Sequence, residues 1–217
     1  MEEMIQTVAI AALPVILAIT LHEAAHGYAA RHFGDPTAWQ EGRITANPLK
    51  HIDPVGTILV PIIILLLSTG GILFGWAKPV PVNFGRLRHP KQDMLWVAAA
   101  GPAANLVMLL FWALLMKLAV TLPIHFFSVP MARMAEIGIL VNLALMVLNL
   151  FPLPPLDGGR IAVSLLPRDL AWRFAQLERF GFPILLLLLF TGILGKLLMP
   201  VMSAVMGMIY FIFQFSA

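Results

Sequence analysis

Long stretches of this chain carry no charged side chain, among them residues 4–21, 54–77, 94–116, 137–156 and 180–195. A helix that crosses the hydrocarbon core of a bilayer needs about 17 to 25 predominantly apolar residues, and these runs are close to that length or above it. Within lipid every backbone N–H and C=O must find a partner inside the protein, which limits what such runs can become. The composition agrees. Of 217 residues, 60% are hydrophobic and 12% charged, and the mean hydropathy is +0.90, whereas soluble proteins average about 25% charged residues. The expected fold is an all-α polytopic membrane protein, a helical bundle, with helices at about residues 4–32, 94–117 and 134–151. The last apolar segment, residues 182–215, would extend roughly 50 Å as one helix. Gly192, Gly195 and Pro200 imply a break there, giving helices at about residues 183–199 and 201–215. Residues 1–217 read as one membrane-embedded domain. No cleavable leader is expected, because Glu2 and Glu3 rather than basic residues precede the first apolar run.

The end of that first run is not a plain membrane span. LAITLHEAAHGYAARHFG, residues 17–34, inserts His22, Glu23 and His26 into it. At 3.6 residues per turn, positions 22 and 26 share a helix face about one turn apart, which suits two imidazoles holding one zinc ion with the glutamate beside it. In that chemistry the metal acidifies a water and the glutamate takes its proton as general base. The same five-residue pattern also occurs by chance in soluble helices. Membrane depth favours the metal reading, because a carboxylate at a helix centre costs about 2.5 to 3.5 kcal/mol on insertion scales and needs an offset. With no cysteine in the chain, the ligands must be His, Asp or Glu. The modest net charge of +3 points to no nucleic-acid partner.

A catalytic zinc site usually has three protein ligands and one open position. One further acidic residue stands out, Asp157, in LNLFPLPPLDGGR, residues 148–160. It follows an apolar run and sits between three prolines and two glycines, so the backbone there cannot be regular helix. The simpler alternative is that Asp157 caps an amphipathic helix over residues 158–166. Capping does not explain so much irregular backbone at membrane depth, where it is tolerated only against protein or water.

Together, HEAAH on an apolar helix, GPAAN at residues 101–105 and NLFPLPPLDGG at residues 149–159 resemble the site-2 protease family of intramembrane zinc metalloproteases. The three motifs occur in the family's order. The resemblance implies that His22, His26 and Asp157 ligate one zinc ion per chain and that Glu23 is the general base. It further implies that Asn149 contacts the substrate backbone or the oxyanion, and that Asn105 has a structural or substrate-positioning role. Family members often carry a PDZ or CBS module; a chain of this length resembles the minimal group without one. The implied activity is hydrolysis of peptide bonds within or near transmembrane segments of membrane-protein substrates, with release of a tethered regulator or clearance of a remnant peptide as its use.

Topology gives a separate argument. If the first helix ends on the side nearer His22 and His26, Asp157 must reach that side too. The antiparallel pair at 94–117 and 134–151 then requires the connecting residues 35–93 to begin and end there. The apolar run 55–69, short and interrupted by Pro61, is therefore expected to be re-entrant rather than a crossing. This arrangement puts Arg31, Arg43, Lys50, Lys78, Arg86, Arg88, Lys91, Arg160, Arg168, Arg173 and Arg179 on one side, leaving Lys117, Arg133 and Lys196 of the 14 basic residues. By the positive-inside rule the site opens toward the cytoplasm.

Residues 37–47 and 74–84 mix β-branched and aromatic residues with turn formers and read as short strands, within a membrane-associated segment of about residues 36–92. An exposed strand edge near the zinc would pair with an unwinding substrate; loops covering the helix ends are the plainer alternative. Trp39 and Trp76 read as interfacial anchors. His32 lies off the face of His22 and His26. His51, His89 and His125 lack a partner at ligand spacing and read as solvated loop residues. Asn142 shares a helix face with Asn149 and either lines the same cavity or bonds a neighbouring helix. Gly101 and Ala104 read as small packing residues. Two other function classes remain at this point: a membrane metal transporter or metal-binding protein, which needs further ligands along a path, and a catalytically silent scaffold, which needs none of Glu23.

Overall fold

The structure, a computed structural model, describes residues 2–67, 75–122 and 125–215. Its helices in chain order are α1 (Glu2–His32), α2 (Thr37–Gln40), α3 (Val60–Leu67), α4 (Pro90–Thr121), α5 (His125–Asn149), α6 (Asp157–Leu165), α7 (Arg168–Ala175), α8 (Glu178–Phe190) and α9 (Ile193–Phe213). A short π-helical stretch, Pro54–Leu59, leads into α3. Among the described residues four helical segments are long and apolar enough to cross a membrane: Ala9–His32, Pro90–Thr121, Phe127–Asn149 and Ile193–Phe213. The chain is a multi-pass membrane protein.

The centre of the molecule is α1, α4 and α5. Asn105 of α4 bonds the carbonyl of Ala18 on α1, while Val97, two turns earlier on α4, meets His26 farther along α1. These two helices therefore run antiparallel. Asn105 also meets Asn142 of α5, and Trp112 lies over Gly138, earlier in α5, so α4 and α5 run antiparallel too. A Cβ on Gly138 would collide with the Trp112 indole, so glycine lets the two helices approach closely. Leu109, Trp112, Ala113, Ala135, Ile139 and Leu143 form the buried cluster between them, and Ile209 of α9 joins it.

This arrangement puts the end of α1, the start of α4 and the end of α5 at one end of the bundle. The Arg88 N–H donates to the Phe33 carbonyl at 3.0 Å, so the excursion between α1 and α4 closes on itself. After the apolar stretch the chain returns to the start of that stretch. Trp76 donates to the Gly56 carbonyl and Lys78 to that of His51. The middle of the segment expected to be re-entrant, residues 68–74, lies outside the described residues.

Two expectations are corrected. Among the described residues there is no strand. Residues 37–40 form the single turn α2, fastened by Asp35, whose Oδ1 accepts both the N–H and the hydroxyl of Thr37. Residues 75–83 have no regular secondary structure, and Pro79 and Pro81 have no N–H to give to a ladder. Their neighbours' polar groups go to side chains instead: Arg43 Nη2 donates to the carbonyls of Lys78 and Pro79, and Glu23 accepts the N–H of Val80. The last apolar segment does break, but at Gly192, whose φ of 72° is left-handed, and not at Gly195 or Pro200. Helix α9 runs through both, as proline is tolerated in membrane helices whose neighbours compensate for the lost bond.

Candidate metal centre

His22 and His26 both lie in the last third of α1, and their rings meet edge to face. Each ring is held by its Nδ1. Asn105, fully buried, decides the first. Its amide nitrogen has two acceptors, the Ala18 carbonyl and Asn142 Oδ1, so its Oδ1 is the atom that faces His22 Nδ1 at 2.6 Å. That contact requires a hydrogen on Nδ1. His26 Nδ1 faces the Val97 carbonyl at 2.7 Å, which can only accept. Each imidazole therefore carries a hydrogen on Nδ1, and in its neutral form presents a bare lone pair on Nε2, the form in which histidine binds a metal.

The two Nε2 atoms stand 3.1 Å apart, and Asp157 Oδ2 lies 3.3 Å from the first and 3.4 Å from the second. Three acceptors converge, and Asp157 Oδ2 is buried without a hydrogen-bond partner. One proton would bridge one of these pairs; a cation bridges all three. A tetrahedral zinc with ligand bonds of about 2.0 to 2.1 Å has ligand-to-ligand edges of roughly 3.3 Å, which the three separations match. Among the described residues, His22, His26 and Asp157 are the one group of three or more such side chains able to share a metal ion.

The chain reaches this point through irregular backbone. Residues 150–156 turn back between α5 and α6, where Leu156 is the N-cap and Asp157 the first helical residue, and the carboxylate Oδ2 that faces the histidines has no hydrogen-bond partner. Gly158 and Gly159 pack against the backbone of Leu150 and Phe151 and of Leu153 and Pro154 so closely that neither has room for a Cβ. On the opposite wall stands Gly101 of α4. A Cβ there would press into both imidazoles, within 2.6 Å of His22 Nε2.

The remaining candidates fall in different places. Glu23, partly buried, accepts the Val80 N–H at 2.8 Å. Asn149, at the end of α5, donates to the Leu145 carbonyl of its own helix. Asn142 accepts from Asn105 on the neighbouring helix and donates to Gly138, the second of the two roles expected of it. His51 is not solvated but buried, its Nε2 on the Thr45 carbonyl. His89 is exposed just before α4; the side chain of His125 is outside the described residues. Trp39 is exposed and stacks under Arg31, whereas Trp76 packs on Gly56 and Phe182. Gly101 as the residue that leaves room beside the imidazole Nε2 atoms, and Val80 as the partner of Glu23, were not foreseen. No sequence spacing points to either, since each matters only through a distance across the fold.

The chain is similar to a Bacillus subtilis (strain 168) protein named "Putative zinc metalloprotease YwhC", with 38% identity over 195 residues, 88% of this chain and 85% of that one. It is also similar to proteins named "Putative zinc metalloprotease Rip2" from two mycobacteria. That of Mycolicibacterium smegmatis is 34% identical over 203 residues and that of Mycobacterium tuberculosis (strain ATCC 25618 / H37Rv) 29% over 204, each match covering 93% of this chain and 71% of the relative. This chain belongs to the site-2 protease family. No protein-family model matches it, and no solved structure gives a significant match. The motifs that carry the family resemblance are those that meet in the fold. HEAAH and the aspartate of LDGG supply the three converging atoms; of GPAAN, the last residue, Asn105, holds His22 from behind through Nδ1, and the first, Gly101, leaves room beside the two Nε2 atoms.

Proposed function

We propose that this family member is an intramembrane zinc endopeptidase that cleaves peptide bonds within or near transmembrane segments of other membrane proteins. The observation that carries this reading is the convergence of His22 Nε2, His26 Nε2 and Asp157 Oδ2, separated by 3.1 to 3.4 Å, around a buried carboxylate oxygen that has no hydrogen-bond partner. These three residues would hold one zinc ion per chain, leaving a fourth position open as catalytic sites do. Zinc bound there supplies Lewis acidity, lowering the pKa of a water and polarising the scissile carbonyl.

The chain's own residues do the rest. Asn105 and the Val97 carbonyl keep both imidazoles in the metal-binding tautomer. Glu23, next to His22 in the chain, takes the proton of the attacking water as general base and hands it to the leaving amine. An amide nitrogen has two hydrogens, and Asn149 spends one on Leu145. The other is the donor it offers to the substrate backbone or to the developing oxyanion. The substrate reaches the site in extended form, because a helix keeps its carbonyls in its own hydrogen bonds.

Eleven of the 14 basic residues lie on the side where α1 ends and α4 begins if the loops follow their helix ends, so the site faces the cytoplasm. A transport path would need further ligand clusters, and a silent scaffold would not need Glu23. The test is cleavage of a model transmembrane substrate by the reconstituted protein. Glu23→Gln is expected to retain zinc and lose activity; full activity in that variant would overturn the assignment of the base.

A further inference from the structure

Glu23 is held from outside its own helix. Its Oε2 accepts the backbone N–H of Val80 at 2.8 Å, and Val80 belongs to the irregular stretch 75–83. Pro79 and Pro81 flank it, so within residues 79–81 the Val80 N–H is the one main-chain donor the chain possesses. The stretch is anchored on both sides of that donor. Upstream, the buried Arg43 donates to the carbonyls of Lys78 and Pro79, at 3.0 and 3.2 Å, and Lys78 N–H bonds the His51 carbonyl. Downstream, the fully buried Asp35 accepts the Asn83 N–H at 2.6 Å. Val80 itself is buried against Gly27, four residues after Glu23 on α1, in a notch with space for little more than glycine. A single N–H aimed at a carboxylate, between two fixed anchors and beside a seated side chain, is a built contact.

We propose that residues 78–83 form a strap that positions the general base, with the Val80 N–H as its working group. The inference rests on the reading of Glu23 as that base. A carboxylate on a flexible side chain can rotate away from the water it must deprotonate. With Oε2 pinned by Val80, Oε1 is left to receive the proton and to deliver it to the leaving amine. In this role Val80 is a positioning residue that acts through the orientation of Glu23. Such a role falls on the chemical step, where an ångström of misplacement can cost about a hundredfold in rate. Substrate affinity and zinc retention have no part in it.

The experiment uses the full chain reconstituted in vesicles with a model transmembrane substrate, reading kcat, KM and zinc content. Val80→Pro, which removes the donor, is expected to lower kcat by about a hundredfold, with KM and zinc as in the wild type. Val80→Ala, which keeps the N–H, recovers most of that loss. Replacing Val80 by its α-hydroxy acid exchanges only the N–H for oxygen, and it decides the matter if the proline variant also loses zinc. A wild-type kcat in the α-hydroxy-acid form, or a loss that appears in KM alone, overturns the strap's role. Glu23→Gln is measured alongside. If it is fully active, the base assignment has failed; if it is inactive while the α-hydroxy-acid form is unimpaired, only the inference drawn from Val80 has failed.

Discussion

At Gly101 the absence of a side chain is what the site requires. A methyl group at that position would press on His22 and His26 at the nitrogens that face Asp157, and α4 cannot retreat, because Asn105, one turn on, is tied to both α1 and α5. Gly101→Ala is therefore expected to weaken zinc binding by about 10- to 100-fold, the range seen when the support behind metal ligands is disturbed. The protein should still fold, and competition with a chelator, read as zinc per chain, measures the effect. Unchanged zinc affinity would show that the imidazoles have room to move. At this scale the sequence was informative for residues whose chemistry is rare in lipid. A His-Glu-His cluster and a lone aspartate among prolines and glycines stand out because each is costly there. Gly101 read only as a packing residue and His51 as a solvated one, since glycine and a single histidine carry no sign of what will face them.

Among the elements, those with long uninterrupted apolar runs were legible, because the bilayer demands helices of that length and leaves no competing solution. Helices α1 and α4 contain the expected segments, with α4 starting at Pro90 rather than near residue 94, while α5 starts at His125 rather than near 134 and ends at Asn149, two residues short of the expected 151. The strands expected at 37–47 and 74–84 are absent among the described residues for a reason the composition hid. β-branched and aromatic residues favour strands only where a partner ladder is available, and here prolines remove donors while Arg43 and Glu23 take the nearby carbonyls and the remaining N–H. The loop before α6 was legible as irregular but not as folded back. Its glycines at 158 and 159 are needed because α6 begins against the backbone it has just left. Helix α9 passes through Gly195 and Pro200, and the turn falls instead at Gly192, a choice between glycines that no local signal makes.

For the molecule as a whole, the closing bond between Arg88 and Phe33 fixes both ends of the long excursion at one end of the bundle. Because the chain has no cysteine, single cysteines introduced at exposed positions report on sidedness directly. Gln40→Cys and Gln92→Cys are expected to react with an impermeant maleimide from the same face of sealed vesicles, the cytoplasmic one, and Thr121→Cys from the other. Labelling of Gln40→Cys and Gln92→Cys from opposite faces would contradict the topology. The same topology brings a helix near the start of the chain and a loop some 130 residues later to one point, and the whole account rests on what they hold there. Zinc-edge X-ray absorption on the purified protein tests this most directly. One zinc per chain is predicted, bound only by nitrogen and oxygen at about 2.0 to 2.2 Å with two imidazoles in the signal, and Asp157→Ala should lose the metal or the carboxylate contribution. A protein that binds no zinc, or an unchanged spectrum in Asp157→Ala, would contradict the account.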